Sequence, residues 1–354
     1  MTLMYRHRLA KLAQHVAGAA DDATTAVLPS PIKPGSLKYE KLEKNMSGDG
    51  ALAAQGFGHV SQVQPPKFTP DQHEEICAFF RAEGYAVIVG AMDQGEVDHL
   101  NNFFSSTQAD PKWMRAWGLG DVREGYHNNQ GLIYSQPLLD HPELDKYTQH
   151  PGNYRVVCDL LGGDDKPRHA EFNFREAPEG AGKRAMNVHH DAAQDSRINR
   201  DPYGAPDWMC AIHYLTDVNE NTPAFAVVPH SHLQLTLKDA YENIPDYSEQ
   251  PLFGPAGTCV LYDTALYHTR LDGKDDSGKI RRTVHQYYAR GSWDEDGRGP
   301  TPPLTNWNVF PKRLAASEDP DKRRFFSHWN TAMCEWAASD WSDDVRAMMP
   351  RGYF

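Results

Sequence analysis

The sequence is informative first for what it lacks. No run of about 18 consecutive apolar residues, the minimum for a membrane-spanning helix, occurs in its 354 residues. The 36 Lys and Arg are outnumbered by 48 Asp and Glu, and the formal charge of −12 argues against nonspecific nucleic-acid binding. The five cysteines form no Cys-x-x-Cys pair and are odd in number, as is typical of buried thiols in a reducing compartment. We therefore expect neither a membrane nor a nucleic-acid partner.

The N-terminal region also lacks the pattern of a secretory signal, because no apolar segment follows its basic residues. A cytoplasmic location is therefore expected. The alternative is the peroxisome, since Arg8-Leu9 followed by His15-Val16 resembles an N-terminal peroxisomal address. Val16 departs from that pattern, because Leu or Ala is usual at its position.

Composition divides the chain into three predicted parts. Residues 1–67 are rich in small residues and Pro with little periodicity, and they predict an N-terminal arm. Residues 68–290 hold the regular helical and strand patterns of one domain. Residues 291–354 predict a C-terminal helical extension that packs on this core. An apolar stripe within residues 319–349 also suits contact with a second copy of the chain, so a homodimer through this helix is the alternative.

Within residues 68–290, helical patterns come first and strands follow. Thr69-Pro70-Asp71-Gln72 predicts the start of a helix that Gly84 ends, with a buried strand directly after it. From residue 169 onward, β-branched and aromatic segments alternate with turn residues, at 170–174, 185–189, 209–215, 225–228, 258–262 and 283–288. Many short strands with crossing loops predict a mainly β fold with flanking helices and a double-stranded β-helix core, a cupin-like jelly roll.

The strongest chemical pattern is Asn-Val-His-His-Asp at residues 187–191. His189 and Asp191, two residues apart at the end of a strand, point to the same side, whereas His190 between them points away. His268, near another predicted strand, adds a second imidazole. Two imidazoles and one carboxylate with open positions opposite form the ligand set of non-haem Fe(II) oxygenases. We therefore expect these three residues to bind Fe(II).

The last predicted strand supplies a cation for a cosubstrate. Fe(II) held by three protein ligands leaves positions for two oxygens of 2-oxoglutarate and for O2. The far carboxylate of 2-oxoglutarate needs a cation, and the planar fork of Arg281 suits it. Arg282 is the alternative, because only one of two neighbours on a strand can point inward. Thr283 shares the face of Arg281 and is expected to line the same site.

Taken in chain order, the residues of the predicted iron and cosubstrate sites resemble those of the phytanoyl-CoA dioxygenase family of Fe(II)/2-oxoglutarate-dependent oxygenases. The resemblance covers about residues 68–290. His189-x-Asp191 is similar to the proximal ligand pair of the family, and His268 and Arg281 stand where its distal ligand and its anchor fall. Pro-His-Ser-His at residues 229–232 is similar to a segment that usually ends in Pro-Gly-Ser-His, so His230 replaces a Gly.

The resemblance implies further contacts with the cosubstrate. Asn173, in an Asn-Phe-Arg segment, corresponds to an amide that contacts 2-oxoglutarate in some members, and Trp208 stands where an aromatic residue can lie beside it. Arg270 departs from the pattern, because a Ser often stands two residues after the distal His. Substrate contacts are expected from residues near the mouth of the site, namely Arg197, Arg270, Tyr126 and Asn128.

The resemblance implies hydroxylation of a small polar metabolite or natural-product intermediate, with release of succinate and CO2. The carboxylate of Asp191 argues against halogenation, because halogenating relatives have Gly or Ala at that position. Desaturation, cyclisation and demethylation are alternatives with the same cofactors. Two other classes are a non-catalytic jelly-roll binding protein and a zinc-dependent hydrolase or isomerase on a cupin-like barrel. The intact ligand set together with Arg281 argues against both.

Overall fold

The computed structural model describes residues 60–114, 117, 132–134, 137–177, 186–191, 204–271, 280–290, 312–315 and 317–326. The predicted arm is therefore described only in its last residues, and most of the predicted C-terminal extension lies outside the described residues. Among the residues that are described, no helix combines the length and the apolar character needed to cross a membrane.

Among the described elements, helices predominate before residue 167, and strands predominate from there to residue 290. In chain order they are α1 (His73–Glu83), β1 (Tyr85–Ile88), α2 (Gln94–Ala109), α3 (Pro111–Met114), β2 (Leu132–Tyr134), α4 (Tyr154–Leu161), β3 (Pro167–Ala177), β4 (Met186–His189), β5 (Trp208–Tyr214), β6 (Phe225–Val227), α5 (Leu237–Asn243), β7 (Gln250–Pro251), β8 (Cys259–Asp263), β9 (His268–Arg270), β10 (Arg281–Arg290), α6 (Lys312–Ala315) and α7 (Pro320–Phe325). Short 3₁₀ helices lie at Pro137–Leu139, Pro142–Tyr147 and Ser231–Leu233.

The described strands form two antiparallel sheets. The larger has six strands in the order β1-β8-β5-β10-β3-β2, and the smaller has four in the order β4-β9-β6-β7. Side chains of the two sheets meet in the interior between them. The ring of Tyr262 on β8 lies 4.9 Å from Phe225 on β6 and 5.1 Å from His268 on β9. Two facing antiparallel sheets with flanking helices are the jelly-roll core predicted from the sequence, which is confirmed.

Helices cover the outer face of the larger sheet, because alternate residues of its strands are apolar. The ring of Phe174 on β3 lies 4.9 Å from Phe103 and 5.0 Å from Phe104, both on α2. On β10, the ring of Tyr288 lies 6.0 Å from Tyr154 on α4. Each fully buried side chain of this kind contributes about 1.5–3 kcal/mol through removal of apolar surface from water. The alternate residues of the same strands are left to line the interior.

Some helix and strand boundaries differ from those predicted, because contacts with other parts of the chain outweigh the local sequence pattern. Helix α1 begins at His73 and not near Pro70, because the preceding residues form a turn in which Thr69 N–H donates to Gln72 Oε1 at 3.0 Å. Strands β3 and β10 are longer than predicted, since they pair with each other along their full lengths. Strands β2 and β7 were not predicted. Segments of three and two residues are too short to show an alternation of apolar and polar residues.

The turn after β6 contains a residue in the left-handed backbone conformation at a position where Gly is usual. His230 has a φ of 66°, a conformation that a Gly adopts at no steric cost. Its backbone N–H donates to Glu83 O at 3.0 Å, and its Nδ1–H donates to Ala82 O at 2.9 Å. These contacts with the end of α1 offset a strain of about 1–2 kcal/mol.

Gly84 and Gly162 offer a matched test of crowding at the ends of helices. They end α1 and α4 with φ angles of 86° and 98°. A Cβ at Gly84 would lie 2.5 Å from His232 Nδ1, whereas no atom lies within 4 Å of the corresponding position at Gly162. We expect Gly162→Ala to lower the free energy of unfolding by about 1 kcal/mol, through backbone strain. Gly84→Ala should lower it by roughly 1–3 kcal/mol more, because a side chain must also be displaced.

Denaturant unfolding of both purified variants measures this difference. Equal losses of stability would show that the contact with His232 relaxes without cost.

Candidate metal centre

The three predicted metal ligands converge beside the smaller sheet. His189 on β4 lies directly opposite His268 on β9, and their ring centroids are 4.3 Å apart. Asp191 follows β4, and its backbone N–H donates to Thr264 O at 2.9 Å. Asp191 Oδ1 then lies 3.7 Å from His189 Nε2 and 3.6 Å from His268 Nε2. Strand pairing therefore brings together residues that are far apart in the sequence.

The donor set fits Fe(II). Two imidazole nitrogens and one carboxylate oxygen all lie within 4.8 Å of one another. Two donors that each bind one ion at about 2.1 Å can lie up to about 4.2 Å apart, so the measured separations admit a shared ion. Side-chain exposure falls from 32% at His189 to 18% at Asp191 and 6% at His268. Three donors with one open side are the arrangement of a two-histidine, one-carboxylate centre.

His268 is held in the tautomer that metal binding needs. Its Nδ1–H donates to the carbonyl oxygen of Leu266 at 2.9 Å, which leaves the lone pair of Nε2 directed at the cluster. Burial, opposed by the nearby Asp191, lowers the pKa of His268 to about 4, so the ring is neutral at neutral pH. His190 faces the other way, with its ring 5.3 Å from that of Tyr267, as strand alternation predicts.

Two tyrosines of the larger sheet orient the carboxylate. Tyr262 and Tyr287 donate their hydroxyl protons to Asp191 Oδ2 at 2.9 and 3.1 Å. Burial, and then the charge of Asp191, raise the pKa of both phenols well above its ordinary value, so both keep their protons. Burial also tends to raise the pKa of Asp191, but the two imidazoles and the tyrosine hydrogen bond outweigh it and lower that pKa to about 2. Asp191 is therefore ionised, with Oδ1 left to face the imidazoles.

Strand β10 directs Arg281 and Arg282 to opposite faces. Arg282 lies opposite Glu176, with Nε 2.6 Å from Oε2, and its guanidinium lies 5.3 Å from the ring of Phe104 on α2. Arg281 is buried on the other face, and its Nε has no hydrogen-bond partner. Burial, and then the neighbouring Arg270, lower the pKa of Arg281 to about 10, which leaves it cationic at neutral pH. Within the described part of the chain, no carboxylate pairs with this guanidinium.

Three polar residues of β3 share the inner face with these groups. Asn173 Oδ1 accepts from Arg175 Nε at 2.9 Å, and Asn173 Nδ2 donates to Glu171 Oε1. The charge of Asp191 acts on Arg175, which places this cation near the cluster. Glu171 Oε2 is buried without a hydrogen-bond partner. Burial, opposed by Arg175 and Asn173, raises the pKa of Glu171 to about 7.

Thr283 and Trp208 also occupy inward positions. The hydroxyl of Thr283 lies 3.1 Å from His285 Nε2 on the same strand. Trp208 begins β5, is buried, and pairs with Ala289 of β10. Both lie on the face of their strands that alternation directs between the sheets.

Of the residues predicted to contact substrate, one is described. Arg270 lies on β9, two residues after His268 and opposite Phe225 of β6, and its charge acts on Arg281. The other three lie outside the described residues: Arg197, Tyr126 and Asn128.

Sequence reasoning missed the tyrosines and the β3 cation. Tyr287 shares the inward face of β10 that was predicted for Arg281 and Thr283, but no role was assigned to it. Arg175 and Glu171 stand two residues on either side of Asn173, so the same alternation places all three together. Tyr262 carried no local signal, because its contact with Asp191 joins strands of different sheets.

A jelly roll with a two-histidine, one-carboxylate cluster defines a class of non-haem metalloproteins. The sequence matches the profile of the phytanoyl-CoA dioxygenase (PhyH) family over residues 80–282, more than half of the chain. The chain belongs to this family of Fe(II)/2-oxoglutarate-dependent oxygenases. The predicted cofactors, Fe(II), 2-oxoglutarate and O2, are confirmed at the level of the family.

Solved structures similar to this chain include two enzymes of nogalamycin biosynthesis. The α-ketoglutarate-dependent carbocyclase SnoK from nogalamycin biosynthesis is 20% identical with a TM-score of 0.49, over 68% of this chain and 96% of its own. The epimerase SnoN of the same biosynthesis is 18% identical with a TM-score of 0.48, over 63% and 85%. AviO1 from Streptomyces viridochromogenes is 17% identical with a TM-score of 0.46, over 65% and 97%. No curated protein gives a significant match to the chain.

The tyrosine contacts predict a loss of metal affinity that can be measured. Tyr262→Phe and Tyr287→Phe each remove one hydrogen bond to Asp191 Oδ2, and loss of such an outer partner costs about 10–100-fold in metal affinity. Anaerobic equilibrium dialysis against Fe(II) measures the affinity of each variant. The matched control is Tyr288→Phe, because Tyr288 lies on the outer face, where its hydroxyl accepts from Asn153. An equal loss in the control would mean that the effect is not transmitted through Asp191.

Proposed function

We propose that the chain is an Fe(II)- and 2-oxoglutarate-dependent hydroxylase of a small polar metabolite or natural-product intermediate. The observation that carries the proposal is the cluster of His189, Asp191 and His268, whose carboxylate is ionised and oriented by two tyrosines. These residues would hold Fe(II) through Nε2, Oδ1 and Nε2. The chemistry that bound Fe(II) supplies is activation of O2, coupled to oxidative decarboxylation of 2-oxoglutarate to succinate and CO2. One oxygen atom enters a substrate C–H bond and the other enters succinate.

The carboxylate supports oxygen transfer over halogenation. A halide needs a metal position that Asp191 would fill, and the two tyrosine hydrogen bonds hold Asp191 in place. Its low pKa keeps it ionised as a ligand across the physiological range. Desaturation or ring closure would use the same residues, and the product distinguishes these outcomes.

Arg281 is the proposed anchor of 2-oxoglutarate. A buried guanidinium without a carboxylate partner is unfavourable by several kcal/mol, and the far carboxylate of the cosubstrate would supply the missing charge in a bidentate pair. Thr283 lies on the same face and would contribute its hydroxyl. Asn173 and Trp208 would line the cosubstrate site from β3 and β5.

The interior also supports a polar substrate. Glu171 offers a buried oxygen without a partner, which suits a hydroxyl or amino group as donor. Arg270 would pair with an anionic group of the substrate. The other predicted contacts with substrate are Arg197, Tyr126 and Asn128. The pKa of Glu171 is raised to about 7, so this carboxyl loses its proton as the pH rises through that value. The ionised form accepts a hydrogen bond from such a donor better.

Anaerobic addition of Fe(II) and 2-oxoglutarate to the metal-free protein tests the cofactor assignment. Chelation of the 2-oxo acid should produce a weak visible charge-transfer band, and His268→Ala should abolish it together with Fe(II) retention. Turnover against a metabolite panel, followed as succinate formation, then finds the substrate.

The mass of the product separates a gain of one oxygen atom from a loss of two hydrogens. A protein that forms no band, and whose metal content is unchanged in His268→Ala, is not an oxygenase of this kind.

The opposite directions of the two arginines on β10 give a paired prediction. Arg281→Ala should weaken 2-oxoglutarate binding by about 30-fold or more, since removing one partner of a buried charge pair costs about 2–5 kcal/mol. Arg282→Ala should leave that affinity nearly unchanged. It should instead lower the free energy of unfolding by about 3–5 kcal/mol, because the buried carboxylate of Glu176 loses its partner.

Titration of the charge-transfer band with 2-oxoglutarate, and denaturant unfolding, measure the two effects. The reverse order of affinities would assign the anchor to Arg282.

A further inference from the structure

A second group of metal-ligating side chains lies where helices α1 and α4 pack together. His73 and Cys77 are one turn apart on α1, so both face the same side of that helix, and Asp159 projects from α4. His73 Nε2 lies 2.5 Å from Asp159 Oδ2 and 3.9 Å from Cys77 Sγ. All three ligand atoms lie within 4.8 Å of one another. None of these residues belongs to the cluster formed by His189, Asp191 and His268.

The distances are close to those of a tetrahedral zinc site. With Zn–N and Zn–O bonds of about 2.0–2.1 Å and a Zn–S bond of about 2.3 Å, ligand nitrogen and oxygen lie roughly 3.3 Å apart, and nitrogen and sulfur roughly 3.5 Å apart. His73 and Cys77 already lie near that separation on a rigid helix. The Asp159 carboxylate must withdraw by roughly 0.8 Å, which a rotation of its side chain provides.

The chemistry of the three donors selects the metal. Imidazole and thiolate together favour a borderline-soft ion, and the three donors match the nitrogen, sulfur and oxygen ligands that Zn²⁺ accepts. The Cys77 thiol is buried, whereas the side chains of His73 and Asp159 are 27% and 34% exposed. Solvent therefore reaches the side opposite the thiol and can supply water as a fourth ligand. Arg155, whose NH2 lies 3.5 Å from Asp159 Oδ1, leaves Oδ2 free to face His73.

We propose that His73, Cys77 and Asp159 form a second metal site that binds Zn²⁺ with water as fourth ligand and ties α1 to α4. Binding as a thiolate would release the proton of Cys77. The metal would stabilise the packing of two helices that cover the larger sheet. It would take no direct part in the chemistry between the sheets.

Substitution with Co²⁺ gives a readout specific to this site. Cobalt bound by a thiolate produces an intense near-ultraviolet charge-transfer band, and the cluster at His189 contains no thiolate. We expect the metal-free full-length protein to develop this band with Co²⁺ and Cys77→Ser to lose it. Cys158→Ser is the matched control, because Cys158 is a buried cysteine adjacent to Asp159 and should leave the band unchanged. Asp191→Ala should also keep it, which separates this site from the proposed iron centre.

Zinc binding is measured in the Asp191→Ala background, so that the iron centre contributes little. Zn²⁺ should raise the unfolding temperature there, and Cys77→Ser should remove that rise while keeping the circular dichroism of the folded protein. A wild-type protein without the cobalt band overturns the proposal. Two other results would also overturn it. One is a Cys77→Ser variant that keeps the cobalt band, and the other is an Asp191→Ala variant that loses it.

Discussion

The register of β10 is the constraint on which the rest of the molecule depends. This strand pairs with β3 on one side and β5 on the other, so its alternation sets which side chains enter the interior. Arg281, His285 and Tyr287 face inward in this register, whereas Arg282 reaches Glu176 and helix α2. A slip of one residue would exchange these sets, which would bring Arg282 inside in place of Arg281 and remove the hydrogen bond of Tyr287 to Asp191. The outward ion pair of Arg282 therefore helps to specify the inward position of Arg281.

Asp191 connects the two sheets as well as completing the candidate metal cluster. Its Oδ2 accepts hydrogen bonds from tyrosines on β8 and β10, and its Oδ1 faces imidazoles on β4 and β9. The carboxylate therefore takes its orientation from the larger sheet and its metal-binding partners from the smaller one. Because a partly buried carboxylate with these contacts stays ionised, the centre is arranged before any metal binds.

Charge in the interior is distributed to suit the dianionic cosubstrate of the family. Arg281 and Arg270 act on each other, and Arg175 lies nearer the metal cluster and Glu171. Arg281, which has no carboxylate partner among the described residues, is unfavourable by itself and becomes favourable when an anion binds. Glu171, with a pKa raised to about 7, is the buried carboxyl beside these cations, and its Oε2 has no hydrogen-bond partner. Binding affinity and chain stability therefore compete in this interior, as they do at many functional sites.

Much of this protein could be predicted from sequence because its signals are local. The short strands, the pair His189-x-Asp191 and the alternation beginning at Arg281 are patterns of period two, and they predicted the jelly roll and the metal cluster. Sequence could not choose between Arg281 and Arg282, because either register satisfies alternation until Glu176 and Phe104 occupy the outer face. The tyrosine contacts with Asp191 and the meeting of His73 with Asp159 were decided by tertiary structure alone. These pairs join distant parts of the chain, and only the packing of sheets and helices brings their atoms within a few ångströms.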